Sequence, residues 1–208
     1  MDEKTGLSPT PRPLPRTVDE EVYQMFINIH GFGGQGENTK YLWLHKTYPE
    51  EEIFCPTFDY TTAHPEEVLS RYEAEVRAQV KAGRSVRIVG TSWGGFFAYC
   101  LNALFPNLPT VLVNPSLNPY LSRRYAELNH DLLLEYVGVL GRHMLRHSDA
   151  SCAVIIGSRD EVIPHEVVTI PIFAPESVHR FNVQHSFDMD AEPELSRCMM
   201  EHFGRTFA

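Results

Sequence analysis

Long apolar runs are missing from this 208-residue chain: no window reaches the ~18 to 20 consecutive apolar residues of a membrane-spanning helix, so no membrane span is expected. Positive charge is also scarce. Eighteen Lys and Arg face 27 Asp and Glu, a net charge of −9, and no basic stripe emerges. That balance excludes a phosphate-backbone reader, and no nucleic-acid partner is expected. There are only four cysteines, Cys55, Cys100, Cys152 and Cys198, with no C-x-x-C pair. They offer neither the closely spaced ligands of a zinc site nor a disulfide framework, and each lies in an apolar stretch, which reads as a reduced core thiol. The opening Met1-Asp2-Glu3-Lys4-Thr5-Gly6 lacks the apolar segment of a secretory signal. A soluble, cytoplasmic protein is the resulting expectation, and an apolar share of 43% suits one domain with a sizeable core.

Residues 1 to 20 carry Pro9, Pro11, Pro13 and Pro15 and no apolar periodicity, the pattern of an extended tail without a core to bury. From there to residue 208 a single α/β domain is expected. Strand-like runs cover Val22 to His30, Glu52 to Pro56, Ser85 to Gly90, Thr110 to Asn114, Cys152 to Gly157 and Val178 to Val183. Several are nearly continuous in β-branched and aromatic residues, as when both sheet faces are covered. The clearest helix spans residues 65 to 82. Pro65 suits its first position, Glu66 and Glu67 its first turn and Gly83 its stop, with an apolar stripe Val68, Leu69, Tyr72, Val76, Val80. Further helices are expected from Ser92 to Phe105 and from Pro193 to Phe203. Strand–helix alternation implies right-handed crossovers and a mostly parallel sheet of about six strands, with functional groups beyond the carboxyl ends of the strands. Residues 117 to 150 interrupt the rhythm with two helical patterns, 120 to 128 and 131 to 147. They read as a small helical cap over the site or, alternatively, an embellishment at the sheet edge.

The stretch Val86-Arg87-Ile88-Val89-Gly90-Thr91-Ser92-Trp93-Gly94-Gly95-Phe96-Phe97 places Gly-x-Ser-x-Gly between a strand and a helix. A serine on so tight a turn projects its hydroxyl above the sheet, and its neighbours two positions away must be small because the turn leaves them no room. A serine hydroxyl needs a base, and the base an orienting carboxylate. Asp160, after the strand Cys152 to Gly157, and His185, after Val178 to Val183, supply them in the order Ser, acid, His. Glu161 is the competing carboxylate. His179 is the competing histidine, but it lies inside its strand. Donors for an oxyanion are expected from the N–H of Trp93 and, in the glycine-rich loop Gly31-Phe32-Gly33-Gly34, the N–H of Phe32. That loop lacks the Lys-Ser/Thr ending of a phosphate-binding P-loop. His30 and Gly31 stand beside it as candidate pocket residues. Trp93, Phe96, Phe97, Leu117 and Tyr120 are candidates to line an acyl pocket, or else ordinary core. His143 and His147 are four apart on a helix but lack a third ligand, so exposed positions are expected of them and no metal.

Through Ile29-His30-Gly31-Phe32, the elbow Val89 to Phe96, Val111-Leu112-Val113-Asn114-Pro115, Asp160-Glu161-Val162 and His185-Ser186-Phe187, the chain resembles the small bacterial esterases of the YqiA/YcfP group of α/β-hydrolases, from about residue 25 onward. The resemblance implies a minimal hydrolase sheet without the fold's first antiparallel strands, no cofactor, and a small-molecule acyl ester as substrate. Ser92, Asp160 and His185 match the family's triad. The expected activity is ester cleavage through an acyl-enzyme, with a thioesterase or acyltransferase using the same triad as the alternative. A receptor or interaction module on this scaffold is the alternative of another class. Its usual mark is a broken triad, and here all three positions are filled.

Overall fold

The computed structural model describes residues 24–118, 128–143 and 151–204. The proline-rich tail of residues 1 to 20 lies outside them.

Six strands form one sheet: β1 (Gln24–Ile29), β2 (Glu52–Phe54), β3 (Ser85–Thr91), β4 (Thr110–Val113), β5 (Cys152–Gly157) and β6 (Val178–Phe181). They pair in the order β2-β1-β3-β4-β5-β6, and every pairing is parallel. The expected strands are all present: β1, β2, β4 and β6 end one or two residues earlier than expected, β5 matches, and β3 runs one residue further, to Thr91. Among the described residues the helices are α1 (Thr39–Thr47), α2 (Pro65–Lys81), α3 (Trp93–Leu104), α4 (His130–His143), the single turn α5 (His165–Val168) and α6 (Pro193–His202).

Alternation along the strands builds two cores, because successive side chains point to opposite faces. Met25, Ile27, Ile29, Ile88, Leu112, Val154 and Ile156 face α2, α3 and α4. Phe26, Val89, Val111, Val113, Ala153 and Ile155 face Trp43 and Leu44 of α1 and Leu195 and Met199 of α6. Burial on both faces explains why these strands read as continuous apolar runs rather than alternating ones.

The helix ends follow local chemistry. Pro65 opens α2, where its missing N–H costs nothing. Gly83, at φ 78°, takes the left-handed conformation just after the same helix. Helix α1 was not expected from the sequence. Its apolar residues Leu42, Trp43 and Leu44 are consecutive and give no helical stripe, but Asn38 caps it, its side-chain oxygen accepting from the N–H groups of Lys40 and Tyr41 at 2.9 and 3.0 Å.

Of the interval 117 to 150, residues 119–127 and 144–150 lie outside the described part, and with them Tyr120 and His147. Helix α4 packs against α2 and α3. His64 and Glu135 pair at 2.8 Å, Arg142 pairs with Glu66, and Tyr136 reaches the rings of Trp93, Phe96 and Phe97. His143, expected to be exposed, is instead buried at 8% exposure, because it falls on the face of α4 that carries Tyr136 and Val139 inward. The four cysteines are free thiols, with Cys100 and Cys152 buried and Cys55 and Cys198 partly so. No helix among the described residues is long and apolar enough to cross a membrane.

Candidate active site

Three adjacent parallel strands converge on Ser92. It follows β3 directly and precedes α3, with φ 55° and ψ −116°, backbone angles in a region that L residues avoid. The turn is held from β4: the Ser92 N–H donates to the Val113 carbonyl at 2.9 Å, and the Ser92 carbonyl accepts from Ser116 N–H at 2.9 Å. Crowding explains the glycines around it. A Cβ on Gly94 would lie 2.2 Å from the Ile29 carbonyl oxygen, and one on Gly90 would lie 2.4 Å from Ala98 Cβ. Both distances are impossible for real side chains.

The structure brings Ser92, His185 and Asp160 together although 93 residues separate the first two. His185 Nε2 stands 2.9 Å from Ser92 Oγ, and His185 Nδ1 stands 2.8 Å from Asp160 Oδ2. An ionised carboxylate only accepts, so His185 carries its proton on Nδ1 and leaves Nε2 free to accept from the serine hydroxyl. The Asp160 side chain is 1% exposed. Burial by itself would raise its carboxyl, but donation from His165, His185 and the Ile163 N–H outweighs burial and holds it well below the usual carboxylate range. Glu161, the competing acid, contacts the backbone N–H of His185 at 3.2 Å rather than its ring. His179 stays within β6.

Two residues at this site were not singled out from the sequence. Asn114, read from the sequence only as the end of a strand and as part of the family segment, follows β4 at φ 45° and joins the ends of β4 and β5 to the loop after β6. Its Oδ1 accepts from the Gly157 N–H at 2.7 Å, and its Nδ2 donates to the carbonyls of Gln184 and His185 at 3.1 and 2.9 Å. The signal available was an asparagine at a strand end, where its tolerance of the left-handed region is useful. His165 donates to Asp160 from the far side, and nothing in its spacing from the other residues announced it.

A groove of about 1010 Å³ opens beside Ser92 and His185, walled by Phe32, Lys40, Trp43, Phe187 and Met189. Gly31 borders it closely, since a Cβ there would sit 3.1 Å from Ser92 Cβ. His30 also lies along it, but its ring is fully buried and committed. Its Nε2 accepts from the Phe58 N–H at 2.9 Å, so Nδ1 carries the proton to the Gly31 carbonyl at 2.8 Å. Burial holds this imidazole below its ordinary value, partly offset by the Gly31 bond. It braces the loop beside the groove.

The pocket expectation needs correcting at two positions. Phe96 and Leu117 are 0% exposed and belong to the larger core: α3 turns Phe96 toward the Tyr136 ring of α4, and Leu117 enters the same cluster from the loop after β4. Phe97 shares that fate, and Trp93 is covered by Phe32 and Tyr136, with ring centroids 5.4 and 5.1 Å away. The backbone N–H of Trp93 opens α3 and so has no acceptor within the helix. Gly31 packs against Ser92, with room for no side chain between them.

Comparison with solved structures returns the same fold. Est1E from Butyrivibrio proteoclasticus superposes with a TM-score of 0.67 at 16% identity, over 89% of this chain and 90% of that one. The monoacylglycerol lipase of Paleococcus ferrophilus gives 0.62 at 14% identity, over 86% and 94%. The type II thioesterase BorB from the borrelidin biosynthetic cluster gives 0.56 at 13% identity, over 88% and 92%. The sheet is thus that of an α/β-hydrolase, and residues 25–189 match the family described as Uncharacterised protein family (UPF0227). On that match the chain belongs to UPF0227, the YqiA/YcfP family of small α/β-hydrolases.

Proposed function

We propose that this chain is a serine hydrolase that cleaves carboxylic esters of small acyl substrates through an acyl-enzyme. One observation carries the reading: the unbroken relay from Ser92 Oγ to His185 Nε2 at 2.9 Å and from His185 Nδ1 to Asp160 at 2.8 Å, at the mouth of an open groove. In this reading Ser92 Oγ bonds to the acyl carbon while its proton passes to His185 Nε2. The alcohol leaves with that proton. Water then repeats the sequence, freeing the acid and restoring the serine. Asp160 keeps the imidazole tautomer and balances the imidazolium charge. The N–H groups of Trp93 and Phe32 receive the oxyanion, supported by the helix start at Trp93 and by the close approach of Gly31, next to Phe32, to the serine. The apolar walls offered by Phe32, Trp43 and Phe187 suit an acyl chain.

Labelling of the purified protein with a fluorophosphonate probe, with Ser92→Ala as control, tests this directly. Wild type should label and the variant should not, and p-nitrophenyl ester turnover should fall by several orders of magnitude in the variant. No labelling of folded wild type would sink the reading. Faster turnover of acyl-CoA than of p-nitrophenyl esters would move it from esters to thioesters.

A further inference from the structure

Asp160 is more heavily bonded than a triad acid needs to be. Its Oδ1 accepts from the N–H groups of Val162 and Ile163 at 2.8 and 2.9 Å, as the chain wraps around the carboxylate. Its Oδ2 stands 2.8 Å from His185 Nδ1 and also 2.8 Å from His165 Nε2. His165 sits five residues beyond Asp160 on the turn α5 and is 5% exposed. Its other ring nitrogen, Nδ1, stands 2.8 Å from the hydroxyl of Thr169, a residue with no exposure. Because the carboxylate only accepts, both imidazoles must present N–H to it. For His165 that places a proton on Nε2, and in the singly protonated ring Nδ1 then accepts from the Thr169 hydroxyl. The run of bonds has one direction, from Thr169 to His165 to Asp160.

We propose that His165 is a positioning residue for the triad acid and that it tunes the proton affinity of His185 through their shared carboxylate oxygen. The proposal rests on the serine-hydrolase reading above. Two donors on one oxygen divide its charge. The N–H of His165 stabilises the carboxylate whether or not His185 is protonated, and so weakens the extra stabilisation that Asp160 gives to the imidazolium. Without that donor the carboxylate charge faces His185 alone, and His185 holds its proton to higher pH. The other charged groups around this junction have partners of their own. Glu166, next to His165, pairs with Arg180 of β6; Arg159 donates to the Asn182 carbonyl at 2.8 Å; and Glu161 accepts from the His185 backbone. Lys40 and Asp188 lie on the groove side of the same loop.

The test compares wild type with His165→Phe, which removes the donor, and His165→Gln, whose amide N–H can reach the place of Nε2. Fluorophosphonate labelling and thermal melting are run first, then kcat/KM for p-nitrophenyl acetate from pH 5 to 9. The acid limb should move up by roughly half to one pH unit in the phenylalanine variant and stay near wild type in the glutamine variant. A merely structural role would lower kcat without moving the limb. A folded, labelled His165→Phe protein with the wild-type limb would overturn the tuning role and leave the serine reading standing. Failure of wild type itself to label would end both. Imidazole ¹⁵N shifts of the wild type give a readout that does not depend on the variants folding. They should show the Nε2–H tautomer at His165 and the Nδ1–H tautomer at His185, and the opposite tautomer at His165 would overturn the proposal.

Discussion

Asn114 shows how much one uncharged side chain can organise. It is fully buried, adopts φ 45°, and ties the ends of β4, β5 and the loop bearing His185 with three hydrogen bonds. Aspartate has the same shape but cannot donate. Asn114→Asp would therefore set a carboxylate oxygen against the carbonyls of Gln184 and His185 with no water to relieve it. Burying an unpaired polar or charged group costs about 2 to 4 kcal/mol, so the variant should melt well below wild type. It should also label more slowly at Ser92, because the His185 backbone loses its tether. A variant with the wild-type melting temperature would show that the asparagine amide contributes little.

At the scale of elements, the elbow and α4 carry glycines for opposite reasons. In α3, Gly94 is where the helix start meets β1, and a Cβ there would press on the Ile29 carbonyl, which is backbone and cannot give way. Gly94→Ala should destabilise the fold by about 3 kcal/mol or more and abolish labelling, since β1 and α3 must part to admit it. In α4, Gly138 is exposed and a Cβ would meet only the flexible end of Arg142 at 3.6 Å. Gly138→Ala should raise stability by roughly 0.5 to 1 kcal/mol through helix propensity alone. Chemical denaturation of the two variants separates a steric glycine from an incidental one. Equal shifts in the two would contradict the packing argument.

For the whole molecule, the sheet divides the chain into two cores, and the second core meets the site through α1. Trp43 and Leu44 bury against the sheet while Lys40 reaches the loop after His185, with its Nζ 3.4 Å from the Phe187 carbonyl and 4.0 Å from the centre of the Phe187 ring. Burial pushes the Lys40 ammonium down to about 8, against the attraction of Asp188, which raises it. The unfolded chain then binds more protons than the native one between pH 8 and the ordinary lysine value of 10.5. Stability from this residue therefore rises with pH across that window. The difference in unfolding free energy between wild type and Lys40→Met should change in favour of wild type by on the order of 3 kcal/mol from pH 7.5 to 10.5, measured by urea denaturation. A difference independent of pH would mean the ammonium is not desolvated. Taking the difference removes the contribution of the tyrosines, which both proteins share.

The strand runs, helix α2, the elbow and the Ser92, Asp160, His185 order were all legible along the chain. Each depends on local rules: period, capping, and glycine where a turn is crowded. A parallel sheet whose strands each end at one edge then leaves few places for an acid and a base to stand. What the chain alone did not disclose depends on which faces meet. Phe96 and Leu117 could be pocket or core on spacing alone, and only the packing of α3 and of the loop after β4 into the larger core makes them core. Helix α1 has a cap but no stripe, and the second face of the sheet makes a place for it. Asn114 acts on carbonyls 70 and 71 residues away, and His165 matters only where His185, from another strand end, meets the same carboxylate oxygen. Local sequence determined the strands, the elbow and the order of Ser92, Asp160 and His185, because short-range sterics and burial period are written into neighbouring side chains. Tertiary structure alone decided the groove walls, the bracing of His30 by Phe58 and the meeting of His165 and His185 on one oxygen of Asp160, because hydrogen bonds between distant segments exist only once the sheet has brought their ends together.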